Sequence, residues 1–319
     1  MAIKVIKGGL FTTIQDLGRY RYQQFGVPVG GPMDEYSFKL ANYIIGNDEN
    51  DACLEVTIIG PVLQFLCDTI ICISGANLSP MINGKKVDNH RPITVQSNDI
   101  LSFQGVRQGC RAYISVKNGI HIQPILESRS YFPHSDERNS ILLRPIQKGD
   151  ILPVKPFSKI KCKWSIKGDQ DLFNTSIIRY FAGPQFHYFS IEEIFRFEKS
   201  KYSILPESNR IGYRLKGDAL SISEKHEMIS EGTTFGSIQV PHDGQPIILM
   251  SDRQPTGGYP KLGQVAFIDL PKLAQKKPGD SIQFQRISLD DAYSLKKRYE
   301  KKLRLLKMFL KEKWNETKY

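Results

Sequence analysis

Long apolar runs are missing from this chain of 319 residues. None approaches the roughly 18–20 residues that a membrane-crossing helix needs, so a helical membrane protein is excluded. Cysteine is scarce. The five (Cys53, Cys67, Cys72, Cys110, Cys162) include no CxxC pair, which leaves zinc ribbons and dithiol redox centres without local support. Cys67 and Cys72 lie on an apolar stretch read as one strand, where alternation sends them to opposite faces. Buried free thiols acting as small hydrophobes are the expectation. The six histidines (His90, His121, His134, His187, His226, His242) are scattered, with no HxH or HxxxH spacing, and no metal site is expected. No GxxxxGK[ST] phosphate loop and no GxSxG nucleophile elbow occurs; Gly84-Lys85-Lys86 lacks the preceding glycine and strand. The start, Met1-Ala2-Ile3-Lys4-Val5, runs directly into a strand-like pattern without a signal-peptide apolar region. A cytoplasmic location is expected.

What is abundant is positive charge, formally +11. It is concentrated at one end. Lys296 to Lys318 holds ten Lys or Arg against three Glu, leaving only +4 for the rest. Ala292, Leu295, Tyr299, Leu303, Leu306 and Leu310 recur at spacings of three and four, the stripe of an amphipathic helix. Ser288 or Asp290 can cap it. Such a stripe packs on protein while the basic face stays solvated, so neither nucleic acid nor membrane is expected as a partner.

Elsewhere the chain reads as strands. Short β-branched segments alternate with turn signals at Ile70–Ile73, Arg91–Val95, Ile100–Phe103, Arg111–Val116, Ile177–Phe181 and Ser281–Phe284. That spacing predicts mainly β barrels or sandwiches, not a parallel α/β sheet. Two echoes suggest tandem halves. Gly60-Pro61-Val62-Leu63-Gln64-Phe65 is matched by Gly183-Pro184-Gln185-Phe186. Lys148-Gly149-Asp150 and its strand are matched by Pro278-Gly279-Asp280 and its strand. The stretch from Pro153 to Asp171, rich in Lys, Pro, Ser and Gly, is the candidate boundary. The expected domains are 1–155, 170–287 and a basic C-terminal helix over 288–319.

Two loops carry most of the chemistry. Ser251-Asp252-Arg253-Gln254-Pro255-Thr256-Gly257-Gly258-Tyr259-Pro260 falls between the apolar runs Pro246–Met250 and Val265–Leu270, both read as core strands. It packs a carboxylate, a guanidinium, a hydroxyl and a phenol beside paired glycines, whose backbone can approach a ligand closely. The second loop runs Thr12-Thr13-Ile14-Gln15-Asp16-Leu17-Gly18-Arg19, through Tyr22 to Gly26-Val27-Pro28, then Gly30-Gly31-Pro32-Met33-Asp34. A helical pattern from Tyr36 to Ile45 follows, closed by Gly46-Asn47. Asp16 and Arg19 can pair locally, and Arg210 and Arg214 can face solvent on a strand edge. Glu55, alone in the apolar run Leu54–Ile59, must pair with an arginine or act in a site, because burying a lone carboxylate is expensive. Tyr36 and Tyr43 fit the helix core face.

The order TTIQDLGR, GVPVGGPMD, LANYIIGN, LEVTIIGP, NRIGYRL and SDRQPTGGYPKLG resembles the biotin-dependent carboxyltransferase-like family that includes the 5-oxoprolinase C-type (KipA) proteins and the allophanate hydrolase subunit 2-like proteins. The likeness spans residues 3 to about 287. It implies two cyclophilin-like β-barrel lobes with the active cleft between them. It also implies one component of an ATP-dependent 5-oxoprolinase that opens the 5-oxoproline lactam to L-glutamate. ATP, with Mg2+, would serve the complex, and the partners would be a B-like (KipI-type) protein and an A-like protein. No Met-Lys-Met biotin-attachment site is present.

Opening a lactam needs cations and backbone donors for phosphate and substrate carboxylate, and a carboxylate to position water. Asp252, Arg253, Asp16 and Glu55 are the candidate catalytic residues. Arg19, Tyr22, Asp34, Arg210, Tyr213, Thr256, Gly257, Gly258 and Tyr259 are the candidate substrate-binding residues, while Met33 and Asn42 shape the cleft. Two other readings use the same residues. One is a regulatory binding protein antagonising a KipI-type sensor-kinase inhibitor; the other is a carboxyltransferase or amidohydrolase component acting on a urea-like amide. Two features depart from the family pattern. Glu127 stands in Ile125-Leu126-Glu127-Ser128-Arg129-Ser130 where glycine is usual, and the basic C-terminal helix lies beyond the core resemblance.

Overall fold

A computed structural model of the chain describes residues 1–133, 140–157, 164–222 and 228–316. Cys162, His134 and His226 lie outside the described residues. The chain forms two compact units. One comprises Met1–Arg19, Gly30–Gln170 and Leu303–Tyr319; the other comprises Tyr20–Val29 and Asp171–Lys302. Compared with the bounds read from sequence, the segment 20–29 groups with the second unit and the last helix is divided between the two.

The first unit is built on two antiparallel sheets. Six strands run in the order Ile151–Pro153, Ala2–Lys7, Val62–Phe65, Ile100–Phe103, Pro80–Ile82, Lys85–Lys86, and five in the order Phe11–Gln15, Cys53–Thr57, Gln108–Val116, Thr69–Asn77, Ile93–Val95. Alternation explains the first sheet: in Ala2–Lys7 the side chains of Ile3 and Val5 are buried and that of Lys4 is exposed. Ile3, Val5, Leu63, Phe65 and Leu101 from this sheet meet Leu54, Val56, Ile73, Ala112 and Ile114 from the other in one core. The second sheet is covered on its far face by α1 (Glu35–Ile44), where Phe38 and Ala41 pack on Cys53 and Tyr113. Its central strands therefore read as continuous apolar runs, the pattern of strands buried on both faces. Asp34 caps α1 by accepting from Ser37 N at 2.9 Å, and Gly46, at φ +64°, ends it. Tyr36 and Tyr43 lie on its buried face as expected.

The second unit closes into a seven-stranded barrel in the order Ile177–Ala182, Lys261–Val265, Ser237–Gln239, Ile247–Leu249, Gly212–Lys216, Lys201–Ile204, Ser281–Arg286. A parallel pairing of Ile177–Ala182 with Ser281–Arg286 shuts the ring. Closure removes the exposed sheet edges that an open β unit must otherwise protect. An aromatic cluster joins the barrel to a helix. The rings of Phe197 and Phe284 stack at 4.4 Å, and Tyr180 meets Phe197 edge-on at 5.3 Å. Phe197 comes from α3 (Ile191–Lys199), which follows the short helix α2 (Asp171–Asn174).

Two readings of local structure change. Val265–Leu270 is not a strand: the strand is Lys261–Val265, and the chain then turns through a 3-10 segment, Phe267–Asp269, into α4 (Leu270–Ala274). Asp269 fixes that turn by accepting from Arg179 N, Nε and Nη2 and from Lys272, and Pro271 suits the first turn of a helix. Cys67 lies in the bend between Val62–Phe65 and Thr69–Asn77, so it shares no strand with Cys72. The four described cysteines are buried and free.

The echo at Gly149-Asp150 and Gly279-Asp280 is structural. Both glycines have positive φ, 95° and 90°. Each Asp side chain accepts from the backbone three residues earlier, Gln147 N at 2.8 Å and Lys277 N at 3.0 Å. Each turn also exchanges backbone bonds with a strand, through Val5 and through Ile204. The Gly60 and Gly183 echo is not, since Gly60 leads into a strand and Gly183 into a 3-10 turn at Phe186–Tyr188.

The last helix, α5 (Leu289–Glu316), buries Leu303, Leu310 and Trp314. Trp314 sits on Gly46, where an added Cβ would approach its ring to 2.5 Å. Lys117 donates to Gly46 O at 2.8 Å and lies 5.0 Å from the Trp314 ring, which pairs a helix C-terminus with a cation.

His90 is tied into the first unit by backbone bonds to Ile73 and Ile166, with its ring against Gly168. Burial pulls its pKa down to about 4. The unfolded chain binds this proton near pH 6.5 and the folded chain does not, so the stabilisation is complete above pH 6.5 and is lost as pH falls toward 4. Chemical unfolding at pH 7 and pH 4.5 should show a loss of about 2–3 kcal/mol. His90→Asn, which tolerates the local φ of 59°, should flatten that dependence.

Candidate functional site

In the first unit, the predicted residues Asp16, Arg19, Asp34 and Glu55 form two buried networks. Asp16 follows the strand Phe11–Gln15 and accepts from Ser128 Oγ at 2.5 Å, Arg129 N at 2.5 Å, Ser130 Oγ at 2.7 Å and Gly18 N at 3.0 Å. Its carboxylate thus anchors the loop 128–130, and it does not pair with Arg19. Arg19, also buried, donates to the Ser130 and Tyr131 carbonyls and stacks 4.8 Å from the centre of the Phe132 ring. Gly30 and Gly31 have positive φ, and a side chain on Gly30 would press on Arg19 at 3.2 Å.

The second network is centred on Glu55. Its Oε2 accepts from Tyr113 OH at 2.7 Å and Met33 N at 2.8 Å, while Arg111 Nε stands 3.8 Å from Oε1. Glu55 is thus paired with Tyr113 and stands beside Arg111. Burial, and then the Glu55 charge, push the Tyr113 phenol well above its usual range, so it stays a donor. The same phenol oxygen accepts from Asp34 N at 2.8 Å. Asp34 spends its carboxylate on Ser37, bonding both the backbone N and Oγ. Met33 is fully buried, and Asn42 donates to Asp51 O at 2.9 Å.

In the second unit, Arg210 and Asp252 form a buried two-point pair, Nε to Oδ2 at 2.7 Å and Nη2 to Oδ1 at 2.8 Å. Asp252 N also donates to Arg210 O at 2.8 Å. This clamp fixes the turn Asn209–Ile211 against the loop that opens at Ser251. Arg210 does not face solvent; Arg214 does. Tyr213, buried in the barrel wall, donates to Lys276 O at 3.3 Å.

Arg253 differs from its neighbours. Its buried Nε has no hydrogen-bond partner, and Nη1 reaches only Met250 O at 3.5 Å. Desolvation lowers its pKa to about 10, with the Tyr20 hydroxyl and Asp252 acting in the opposite sense. It is still a cation at neutral pH. Tyr22, partly buried, precedes the 3-10 turn Gln23–Phe25 in the same unit.

Beyond Arg253, Thr256–Gly257 pairs with Glu231–Gly232. Gly257 lies where a side chain would strike Gln239 Nε2 at 2.6 Å, whereas a Cβ on Gly258 would meet Ser230 Oγ at 3.7 Å and Met228 O at 3.9 Å, ordinary contacts. Tyr259 is exposed, and its carbonyl accepts from Gln239.

One cluster beside this ribbon is not signalled by the sequence pattern. Lys261 donates to Glu231 Oε2 at 2.8 Å and Gly232 O at 3.0 Å, and Gln185 donates to the same Glu231 oxygen at 3.1 Å. The Lys261 bond holds the Glu231 carboxyl below its ordinary range. The only available signal was a lysine placed in a core strand. Among the described residues, no three His, Cys, Asp or Glu side chains gather as a metal site, and no helix is long and apolar enough to cross a membrane.

Two substitutions separate structural from chemical roles. Asp252→Asn takes away the charge that faces the buried Arg210 guanidinium at two points and should cost about 3–5 kcal/mol in denaturant unfolding. Glu127 and Leu126 both have positive φ, 62° and 49°, in the turn closed by Ile125 and Ser128. Glu127→Gly should therefore raise stability by about 0.5–1 kcal/mol, since only glycine adopts that conformation without strain.

Comparison with known proteins places this architecture. The family model for the carboxyltransferase domain, subdomain A and B, matches residues 25–286. The C subunit of the Escherichia coli 5-oxoprolinase is 32% identical over 293 residues, 91% of this chain and 93% of that protein. The Haemophilus influenzae protein of the same name is 33% identical over 94% of this chain and 96% of its own length. In the solved structure of the K. lactis urea amidolyase, 20% of that chain superposes on 96% of this one with a TM-score of 0.86 at 32% identity. Matched over most of its length both by the family and by such relatives, the chain belongs to the carboxyltransferase domain, subdomain A and B, family.

Proposed function

We propose that this chain is a subunit of a cytoplasmic, ATP-dependent 5-oxoprolinase that opens the 5-oxoproline lactam to L-glutamate. The observation that carries the reading is coverage: two proteins named as the C subunit of 5-oxoprolinase align with the chain over 93% and 96% of their own lengths. The partners would be a B-like, KipI-type protein and an A-like protein.

The chemistry of the second unit supports an anionic substrate. A desolvated guanidinium without a carboxylate partner is costly unless an anion completes it. Arg253 is such a group, and it suits the carboxylate of 5-oxoproline or a phosphate oxygen. Gly258, without a side chain, lets the backbone approach the same ligand, and Tyr259 offers a phenol. ATP with Mg2+, when bound by the complex, supplies activation of the lactam oxygen. Asp252 and Arg210 act by holding Arg253 in place, because both carboxylate oxygens of Asp252 are engaged. Asp16, Asp34 and Glu55 act likewise on the loops they bond. Glu231 has an exposed carboxylate that Lys261 keeps ionised, which suits it to position a water by accepting its hydrogen bond; its lowered pKa makes it a weak base.

A second reading has its own support. The fold superposes on part of a urea amidolyase with a TM-score of 0.86, so a urea-like amide is the competing substrate.

Glutamate formation from 5-oxoproline with all three proteins, and with each omitted in turn, tests the proposal. ATP-dependent turnover should require this chain. A complex that assembles but acts only on a urea-type amide would overturn it. Within an active complex, Arg253→Ala should raise KM for 5-oxoproline roughly 10–100-fold, the cost of one charged hydrogen-bonded contact, and leave unfolding stability unchanged or higher.

A further inference from the structure

The first turns of α5 and the wall of the barrel form an open apolar pocket of about 240 Å3. It lies wholly within the second unit. Phe181, Val265 and Phe267 line it from the barrel and the turn that follows, Leu270 from α4, and Leu289 and Tyr293 from α5. Its walls are held in place. Phe267 meets Tyr299 edge-on at 5.8 Å, and Asp269, paired with Arg179 and Lys272, fixes the turn that presents Phe267. No residue of the loop Ser251–Pro260 lines it, so it is separate from the cation at Arg253. Leu289, Tyr293 and Lys296 follow residue 286, where the family match ends, and the pocket therefore needs the C-terminal helix.

The polar side chain in the wall is already spent. Gln264 accepts from Thr234 Oγ1 at 2.6 Å and Ser237 Oγ at 3.1 Å, and donates to Phe235 O at 2.7 Å. Lys296, which also lines the pocket, is different. Its ammonium lies 5.3 Å from the centre of the Phe267 ring, over a wall of the pocket, and the carboxylate beside it, Glu300, stands at 3.8 Å. Both side chains are about half exposed, and a pair of that kind contributes little. A cation over an apolar hollow fits a molecule with an apolar body and one anionic end. The volume falls just below that of drug-sized sites, which sets the ligand at about ten non-hydrogen atoms. We propose that this pocket binds a small amphipathic monocarboxylate, its apolar part against Phe267, Leu270 and Tyr293 and its carboxylate on Lys296.

Ligand-observed NMR titration of the full chain with octanoate, octanol and acetate tests this. Octanoate should bind saturably with a Kd on the order of 1 mM, and acetate, which has no apolar body, should not bind. Ala292→Phe, which puts a ring into the pocket, should abolish octanoate binding in a variant whose thermal unfolding shows it folded. Lys296→Met, at a half-exposed position, should weaken octanoate about threefold to tenfold and leave octanol unchanged. Glu300→Gln frees the ammonium and should tighten octanoate by about twofold to fivefold, again without effect on octanol. Octanoate that fails to saturate, or that binds Ala292→Phe as it binds the wild type, would overturn the proposal. So would affinity indifferent to both charge changes, the mark of a neutral apolar hollow. If octanoate does not bind and Ala292→Phe instead disrupts a dimer or assembly with the B-like and A-like proteins, the pocket is a protein contact and the proposal falls.

Discussion

A carboxylate taken out of water has to be met by donors, and both units are organised by that constraint. Asp16 is almost fully buried and accepts from two hydroxyls and two backbone amides. Those bonds draw residues 128–130 onto the end of the strand Phe11–Gln15, 112 positions away in sequence at Ser128. Asp252 does the same in the barrel with one guanidinium, holding Arg210 at two points. In each case a loop that would otherwise fluctuate is tied to a rigid strand by one buried charge. Loss of either donor set leaves the charge uncompensated, which costs more than the contact itself contributes.

Against that background Arg253 is informative. Arg179 has Asp269, Arg144 has Asp150 and Arg210 has Asp252. Arg253, next in sequence to Asp252, has a carbonyl at 3.5 Å and a buried Nε with nothing to bond. Adjacent residues are thus left in different electrostatic states: a closed pair at Asp252 and, at Arg253, a cation with no carboxylate hydrogen-bonded to it.

Much of the scaffold was legible because its periods are clean. The alternation in Ala2–Lys7, the turn glycines before Ile151 and Ser281, and the cap and stop residues Asp34 and Gly46 each encode structure within a few residues. The candidate loops were legible as compositions, not as roles. Asp252 and Arg253 look alike as polar loop residues, yet one is neutralised by a partner 42 positions away and the other is not. Nothing local distinguishes them. Lys261, Glu231 and Gln185 escape a sequence reading for the same reason, since their bonds join residues 30 to 76 positions apart. Val265–Leu270 misled because an apolar run of six does not reveal its period, and Asp269, close to its end, is the anchor of a helical turn.

The departures from the family pattern follow the same physics. Glu127 occupies a left-handed conformation that glycine adopts without strain, and the turn survives because Asp16 over-determines the loop that follows it through Ser128, Arg129 and Ser130. Strain in one residue is tolerated where several independent bonds fix its surroundings. Helix α5 is the opposite case. Its Leu303, Leu310 and Trp314 are buried, and what the Trp314 ring requires is a missing side chain: a Cβ on Gly46 would come within 2.5 Å of it.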